Sequence, residues 1–489
     1  MIRRTSLSPR VGAIAAVQFA VLVATSTRYG YHRDELYFIV AGSHPALGYP
    51  DQPPLVPLIC WAMHSLRHSL VLLRLPSALV ATTMTLLAGE IAREVGGRQR
   101  AQVIAAACVA SSGFALAVGH FVTTTTFDLL STTAFLWLVV RALVRRSARP
   151  MLAAGIVVGL GVEAKPQVGF VAVVVVGALL VLGPRHELRS WWTIGGVVAA
   201  VAIAAPYVVW QQQHGWPQLT VARNIGGSAE GGRIGFIPFQ LLLVSPLLAP
   251  VWIAGLLAPF RRLELRRLRF VPVTYVVLLV AYIAGDGKAY YLASLYPAVL
   301  ALGALPAADW TGRARMRART LTVAIAVSVV ISAFLALPLL PARSLQGSAV
   351  MAVNPDQGET VGWPRFIDTV TTAWHAIPAR ERFHTAIFTG NYGEAGAVDV
   401  LGRSHGLPRA YSGHNGFSEW GMPPATDTHV LLIGYDRPAY AAPYFSSCRT
   451  LATIDNGVGL ENDEQGLPLL FCRPAAPWSA LWPRLRHYG

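Results

Sequence analysis

Long apolar stretches alternate with short polar turns up to about residue 341. A helix needs roughly 20 apolar residues to cross the hydrocarbon core of a bilayer. So many stretches in succession predict an α-helical polytopic membrane protein with about eleven transmembrane helices. The predicted spans are 11–27, 71–92, 102–119, 124–143, 150–163, 167–183, 191–210, 237–259, 270–285, 290–308 and 320–340.

The pattern changes after residue 341, where short apolar runs are separated by turn residues. The runs TAIFTG (385–390) and HVLLIG (429–434) are typical of buried strands, and AGAVDVLGRSHG (395–406) is typical of a helix that ends at glycine. The pattern therefore predicts two domains: a transmembrane domain, 1–341, and a small soluble α/β domain, 342–489.

Composition and charge support this division. The chain is 54% hydrophobic and 13% charged, whereas soluble proteins carry about 25% charged residues. The formal charge of +15 raises the possibility of a nucleic-acid partner, but the arginines concentrate in alternate turns, at 93–100, 141–149, 185–189, 261–269 and 313–319. This alternation follows the positive-inside rule. It predicts a multi-pass protein of the cell membrane with a cytoplasmic N-terminus, an extracytoplasmic C-terminal domain and no nucleic-acid partner.

The four cysteines divide in the same way. Cys60 and Cys108 fall in or near apolar stretches, where buried thiols are common. Cys448 and Cys472 fall in the domain that we place outside, where oxidation is permitted. A disulfide between Cys448 and Cys472 is therefore compatible with their predicted location.

The predicted topology gathers the unusual polar residues on the outer face. Charged groups near a membrane are costly, so such a collection indicates a functional surface. An outward-facing enzyme has no access to nucleotide sugars, and a sugar carried on a lipid phosphate is an alternative donor. The residues on this face are Asp34, Glu35, Asp51, His120, Asp128, Glu163, Lys165, His214, Arg223, Asp286 and Lys288.

These residue types suit transfer from a lipid phosphate. A lysine or arginine would hold the phosphate and stabilise the leaving group. A carboxylate would deprotonate an acceptor hydroxyl. Neighbouring acids, here Asp34 and Asp51, could hold a divalent cation.

Each candidate also has a purely structural interpretation. Asp34 and Glu35 could cap a helix through LYFIVAGSH, and Asp51 could serve a turn. Asp128 could be a charge at a helix N-terminus. Lys165 and Lys288 could extend their ammonium groups to the membrane interface without binding any ligand. His120 could be structural.

Six motifs in the membrane part carry a family resemblance. They are RDELYF (33–38), YPDQPPL (49–55), RLPSAL (74–79), TTTTFDLLSTTAFLWL (123–138), GLGVEAKPQ (159–167) and GKAYYLASLYPAVLALGA (287–304). Together they resemble the GT-C membrane glycosyltransferases, in particular the family 39-like group of protein O-mannosyltransferases and aminoarabinose transferases. NYGEAGAVDVLGR (391–403) and SGHNGFSEWG (412–421) are similar to motifs in a bacterial subset.

The resemblance implies a reaction and a catalytic pair. The family uses polyprenyl- or dolichyl-phosphate sugars and inverts the anomeric centre. Carried over to this chain, Asp34 is the catalytic base, and Glu35 orients the base or the acceptor. Asp128 matches an acidic residue near the start of the fourth helix, where it would support the base or a metal.

The sequence departs from the family in the first loop. Asp51 stands where aminoarabinose transferases have a glutamate, and Gln52 stands where they have a lysine expected to contact the lipid phosphate. The positive charge must then come from Lys165, Arg223 or Lys288, or the substrate differs. Further candidate substrate-binding residues are Arg33, Tyr37, His120, Tyr290, Tyr291, Asn391, Glu394, His414 and Asn415.

The C-terminal domain permits two interpretations. Polar and aromatic residues at its strand ends would suit sugar binding or acceptor docking; they are Asn391, Tyr392, Glu394, His414, Asn415, Glu419 and Trp420. It could equally be a covering domain without a site.

The sequence thus favours an inverting glycosyltransferase that moves a sugar from a polyprenyl-phosphate donor to a lipid, glycan or protein acceptor. A transporter or lipid flippase is the alternative, although transporters usually show internal repeats and broken helices at mid-membrane. A non-catalytic assembly protein is a third possibility, but it would not need the acids Asp34, Asp51 and Asp128 together.

Overall fold

A computed structural model describes residues 6–226, 232–435 and 441–489. The chain divides into two compact units. We call Met1–Ser26, Arg74–Gln212 and Ile225–Leu337 the helical unit, and Thr27–Leu73, Gln213–Asn224 and Pro338–Gly489 the mixed unit. The mixed unit thus combines the C-terminal segment with two segments from between the apolar stretches, including the predicted first loop.

Helices account for most of the chain. In chain order they are α1 Pro9–Thr25, α2 Arg33–Ser43, α3 Leu55–Leu66, α4 Leu70–Glu94, α5 Gln99–Ala110, α6 Gly113–His120, α7 Thr124–Arg145, α8 Pro150–Val162, α9 Gln167–Leu182, α10 Arg185–Leu188, α11 Trp191–Gln213, α12 Pro217–Gly226, α13 Gly232–Val244, α14 Ala249–Arg261, α15 Phe270–Ala284, α16 Tyr296–Gly312, α17 Arg315–Ala336, α18 Ala349–Val353, α19 Trp363–Ala376, α20 Ala379–Arg382, α21 Tyr392–Leu401 and α22 Trp478–Leu485.

Five helical segments in the described residues are long and apolar enough to cross a membrane, or up to seven if each of two bent pairs counts as one span. The bent pairs are α5 with α6, at 57°, and α13 with α14, at 82°. Each predicted span coincides with a helix or a bent pair, which confirms the polytopic helical fold. The number eleven stays a prediction, because several of these helices are shorter than a full span.

Small residues let the helices of the helical unit approach closely. A Cβ added to Gly255 of α14 would lie 2.0 Å from the carbonyl oxygen of Val299 in α16. A Cβ added to Gly303 of α16 would lie 1.9 Å from the carbonyl oxygen of Val251. Such glycines are typical of helix contacts in membranes, where close backbone approach replaces the hydrophobic driving force.

The C-terminal segment contains one five-stranded sheet in the order β2-β1-β3-β5-β4. β1 runs parallel to β2 and β3, while β5 is antiparallel to β3 and β4. The small α/β domain is therefore confirmed, including both predicted strands. The strands are β1 Thr385–Thr389, β2 Ala410–Ser412, β3 His429–Ile433, β4 Phe445–Thr453 and β5 Pro468–Pro474.

The cysteines behave as the sequence indicated. Cys448 of β4 and Cys472 of β5 form a disulfide. Cys60 and Cys108 are buried free thiols. The covalent link therefore joins two adjacent strands of the mixed unit.

Within the mixed unit, α2 packs against both α3 and α21. A Cβ on Gly396 of α21 would lie 3.0 Å from the backbone nitrogen of Tyr37 in α2. A Cβ on Gly42 of α2 would lie 2.2 Å from the carbonyl oxygen of Pro57 in α3. The first-loop helix is thus held on one side by its sequence neighbour and on the other by the C-terminal segment.

Candidate active site

The start of α2 places the acidic pair of the first loop. His32 is the N-cap, and its Nδ1 accepts a hydrogen bond from the Asp34 N–H at 3.2 Å. The carboxylate of Glu35 accepts one from the His32 N–H at 2.9 Å and completes a capping box. Glu35 is fully buried. The capping interpretation therefore holds for Glu35, while its predicted catalytic role stays a prediction.

Asp34 lies beside Glu35 but keeps access to solvent, with 28% of its side chain exposed. The hydroxyl of Tyr392, the first residue of α21, donates a hydrogen bond to Asp34 Oδ1 at 2.9 Å. The other oxygen, Oδ2, lies 3.9 Å from His32 Nδ1. That nitrogen already accepts the Asp34 N–H, so it does not donate to Oδ2. A solvent-accessible carboxylate with one oxygen held in place is chemically able to accept a proton from a hydroxyl bound beside it.

Asp51 is held by side chains from two distant segments. Tyr37 of α2 donates its hydroxyl hydrogen to Asp51 Oδ1 at 2.7 Å, and Asn415 Nδ2 donates to Oδ2 at 3.4 Å. The Gly416 N–H in turn donates to the Tyr37 hydroxyl oxygen at 3.0 Å. Burial raises the pKa of Asp51 to about 7, with a smaller contribution from the charge of Asp34. Asp51 therefore does more than serve a turn.

The remaining first-loop candidates are largely engaged by protein groups. Arg33 forms ion pairs with Glu359, at 3.5 Å, and with Asp463. Gln52 is buried, and its backbone carbonyl oxygen accepts the Tyr49 N–H at 2.9 Å, while its side-chain nitrogen has no hydrogen-bond partner among the described residues. Sequence reasoning missed both acidic partners of Arg33, since nothing in their local sequence marks them.

Two C-terminal candidates begin α21. The side chain of Asn391 accepts the Glu394 N–H at 2.9 Å, and the carboxylate of Glu394 accepts the Asn391 N–H at 3.1 Å. This second capping box leaves Glu394 fully buried, and burial raises its pKa to about 7. The geometry shows a helix-capping role for both, and ligand binding by them stays a prediction.

His414 and Asn415 follow β2. The ring of His414 stacks on His487 at 4.5 Å and lies 4.9 Å from the ring of Tyr392. Burial, with the neighbouring His487, lowers the pKa of His414 to about 3, so the imidazole is neutral. Asn415 has a positive φ of 47°, and its side-chain oxygen accepts the Gly489 N–H at 3.0 Å.

Aromatic rings surround these groups. Tyr37 lies 4.8 Å from Tyr392, and its ring also contacts Phe417 and Trp420. His44 stacks on Trp420 at 4.5 Å and 11°. Aromatic rings offer large apolar faces, which suit packing against the C–H face of a sugar. The mixed unit thus brings together Asp34, Tyr37, Asp51, Tyr392 and Asn415.

A second cluster lies in the helical unit. Lys165 Nζ donates to Thr125 Oγ1 at 2.8 Å and lies over the rings of Tyr291, at 4.8 Å, and Tyr290, at 5.5 Å. Asp128 is fully buried in α7, where the positive charge of Lys165 acts on its carboxylate. Lys288 lies 5.9 Å from the ring of Tyr290. We call these residues the Lys165 cluster: Thr125, Asp128, Lys165, Lys288, Tyr290 and Tyr291.

Two candidates remain, one on α6 and one on α12. His120 is buried at the end of α6, edge-on to Phe121 at 6.3 Å. Arg223 lies on α12 of the mixed unit with an exposed side chain.

The predicted cation site does not fit the geometry. Asp34 accepts a tyrosine hydroxyl, and both oxygens of Asp51 accept protein donors. Among the described residues, no group of three or more His, Cys, Asp or Glu side chains could hold a metal ion. A divalent cation needs several oxygen ligands directed at one point, so the prediction that Asp34 and Asp51 hold one is not supported.

Comparison with known proteins agrees with this architecture. Residues 51–210 match the model of the dolichyl-phosphate-mannose-protein mannosyltransferase family. The crystal structure of ArnT from Cupriavidus metallidurans bound to undecaprenyl phosphate superposes with a TM-score of 0.60 at 14% identity, over 96% of this chain and 99% of that chain. The chain has the GT-C fold. No curated protein matches it in sequence.

Two further GT-C structures are similar over smaller parts of their own length. Arabinofuranosyltransferase AftD from Mycobacteria matches with a TM-score of 0.55 and 15% identity, over 97% of this chain and 41% of that chain. The oligosaccharyltransferase of Archaeoglobus fulgidus in complex with Zn and sulfate matches with a TM-score of 0.51 and 16% identity, over 82% and 62%. The resemblance stated from the motifs is thus confirmed at the level of the fold.

Proposed function

We propose that this chain is an inverting glycosyltransferase that moves a sugar from a polyprenyl-phosphate donor to an acceptor hydroxyl at the outer face of the cell membrane. The observation that carries the proposal is the Asp34 carboxylate. It is accessible and held by Tyr392 at 2.9 Å. It also occupies the first turn of α2, where the helix N-terminus favours negative charge.

The donor class is supported from two sides. The similar ArnT structure is bound to undecaprenyl phosphate. In this chain, Gln52 replaces the lysine that the family resemblance predicts, and Lys165 is a cation held between a threonine hydroxyl and two tyrosine rings. We assign Lys165 to the donor phosphate, where its charge would stabilise the leaving group. Lys288 and Arg223 are the weaker candidates.

The reaction balances without a further reactant. Asp34 takes the proton of the acceptor hydroxyl as that oxygen forms a bond to the anomeric carbon. The bond between the anomeric carbon and the phosphate oxygen breaks, and the electron pair leaves with the lipid phosphate. Attack opposite the leaving group inverts the anomeric centre.

A transfer assay tests the proposal. Wild type, Asp34→Asn and the control Asp368→Asn, an exposed aspartate on α19, would be purified in detergent. Each would be incubated with radiolabelled undecaprenyl-phosphate sugars and cell-envelope extract. We expect transfer by wild type and Asp368→Asn and a loss of roughly 100-fold or more in Asp34→Asn.

Two results would contradict the proposal. Equal transfer by Asp34→Asn and wild type would remove Asp34 from the chemistry. No transfer by wild type with any donor, together with flux of labelled lipid across reconstituted vesicles, would favour the transporter or flippase alternative.

A further inference from the structure

The hydroxyl of Tyr392 comes from a segment to which the proposed reaction assigns no catalytic role. Tyr392 is 358 residues from Asp34 in the chain, yet its hydroxyl donates to Asp34 Oδ1 at 2.9 Å. The sequence marks the C-terminal segment as a separate folding unit. A direct bond from that segment to the candidate base therefore needs a physical explanation.

Three local devices bring Tyr392 to this place. The Asn391–Glu394 capping box starts α21 at Tyr392. Glycines follow at the contact with α2: a Cβ on Gly393 would lie 2.8 Å from the Arg33 Cβ, and one on Gly396 would lie 3.0 Å from the Leu36 carbonyl carbon. The backbones of the two helices can therefore come into contact. At this separation the Tyr392 hydroxyl on α21 reaches the Asp34 carboxylate on α2.

Neighbouring contacts hold the same pair of helices in register. Arg33, immediately before Asp34, is paired with Glu359 and Asp463 of the C-terminal segment. About one helical turn after Asp34, the hydroxyl oxygen of Tyr37 accepts the Gly416 N–H. Asp34 is thus bracketed by contacts to the C-terminal segment on both sides, so its own contact to Tyr392 belongs to an ordered arrangement.

The chemistry of the hydroxyl suits a donor. Burial and the charge of Asp34 raise the pKa of Tyr392 above its ordinary value, so the hydroxyl stays protonated. A hydrogen bond to a carboxylate is short and directional, so it fixes the rotation of the carboxyl plane. With Oδ1 engaged by Tyr392, we assign the acceptor proton to Oδ2.

We propose that Tyr392 is a positioning residue: the C-terminal segment supplies its hydroxyl to hold the Asp34 carboxylate in the orientation that accepts the acceptor proton. The proposal rests on the proposed function and extends it. It makes the C-terminal segment a part of the catalytic arrangement, in place of a docking or covering domain alone.

The kinetics of Tyr392→Phe test whether Tyr392 contributes to the rate of sugar transfer. Tyr411→Phe is the matched control, since Tyr411 lies on β2 of the same sheet and packs against Arg409. With a radiolabelled undecaprenyl-phosphate sugar, we expect Tyr392→Phe to lower kcat roughly 10- to 100-fold, with KM within about twofold, because a misplaced group loses rate without losing substrate affinity. Wild-type kcat in Tyr392→Phe would overturn the proposal.

A double-mutant cycle tests the pairing without any activity. Melting temperatures would be measured for wild type, Tyr392→Phe, Asp34→Ala and the double variant. We expect Tyr392→Phe to lower the melting temperature by roughly 2 to 4 °C in wild type and by less than about 1 °C in Asp34→Ala. Equal losses in both backgrounds would overturn the pairing.

The two measurements separate the possible failures. An inactive wild type with a non-additive cycle would contradict the proposed function and leave the pairing intact. An active wild type with an additive cycle and an unaffected Tyr392→Phe would contradict the positioning role alone. If Tyr392→Phe does not fold, 3-fluorotyrosine at position 392 replaces it, and a fluorine resonance that does not move on Asp34→Asn overturns the pairing.

Discussion

The mixed unit and the helical unit each bury an acid, but they stabilise it in different ways. In the mixed unit, Asp51 accepts hydrogen bonds from Tyr37 and Asn415. In the helical unit, no side chain of the described residues donates a hydrogen bond to Asp128, whose stabilising side-chain partner is the charge of Lys165. The side-chain contacts of Asp51 are directional hydrogen bonds, whereas the side-chain contact of Asp128 is a charge interaction.

Under the proposed function, this difference predicts a division of labour between the two clusters. Hydrogen bonds have angular requirements and fix the orientation of a carboxylate, as proton transfer demands. A charge interaction falls off slowly with distance and tolerates displacement, as the binding of a lipid phosphate permits. We therefore expect substitutions in the two clusters to affect different kinetic constants.

The largest expected effect comes from Lys165→Met. It would remove the cation that we assign to the donor phosphate, together with the positive charge that acts on the buried Asp128. We expect kcat/KM to fall roughly 100- to 1,000-fold, largely through KM for the undecaprenyl-phosphate sugar. Lys288→Met is the control and should change KM far less. An unchanged KM in Lys165→Met would contradict the assignment of Lys165 to the donor phosphate.

The disulfide should stabilise the mixed unit and leave the helical unit unaffected. Cys448 and Cys472 are 24 residues apart, and closing a loop of that size contributes about 3 kcal/mol. Hydrogen exchange with and without reductant is the measurement. We expect faster exchange in β4 and β5 and no change in α4. The double variant Cys448→Ser/Cys472→Ser is the control, and reductant should not alter its exchange rates. If reductant does alter them, the faster exchange does not come from this disulfide.

Gly396→Ala tests whether α2 and α21 need their close contact. The added methyl would lie 3.0 Å from the backbone of α2, and overpacking of this kind costs about 2 kcal/mol. Gly177→Ala in α9, where nothing lies within 4 Å, is the matched control and should be neutral or stabilising. Equal melting temperatures for the two variants would show that the helices can separate without cost.

The smallest expected effect is a pH dependence. Burial raises the pKa of Glu394 from its ordinary value near 4.5 to about 7. The folded chain then binds more protons than the unfolded chain between those values, so this residue's contribution to stability falls as pH rises through that window. Glu394→Gln should therefore be more stable than wild type at pH 8, by about 1 kcal/mol, because the buried amide offsets part of the gain.

Melting temperatures at pH 5 and pH 8 would check this. The advantage of Glu394→Gln should vanish near pH 5, where the wild-type carboxyl is protonated. Glu461→Gln, an exposed site, should match wild type at both values. If Glu394→Gln remains more stable than wild type at pH 5, the gain in stability comes from packing and not from the ionisation of Glu394.

Sequence reasoning predicted the elements better than their contacts. The apolar stretches, the strands at 385–389 and 429–433 and the acidic start of α2 all appear where expected, because each depends on residues close in the chain. The capping role of Glu35 was an open alternative, since the motif is compatible with both interpretations. The predicted cation site was not supported, because proximity of acids in sequence says nothing about the donors that surround them.

The sequence by itself determined a polytopic helical protein with a small α/β segment, through local hydrophobicity and turn chemistry that act over a few residues. The family resemblance of its motifs also marked Asp34 as the candidate base, whereas the accessibility of that carboxylate came from the structure. Only the tertiary structure decided that Tyr392 and Asn415, 358 and 364 residues away, are the partners of Asp34 and Asp51. The Asp34–Tyr392 pair depends on how α2 and α21 approach through Gly393 and Gly396, and no local pattern encodes the distance between two helices.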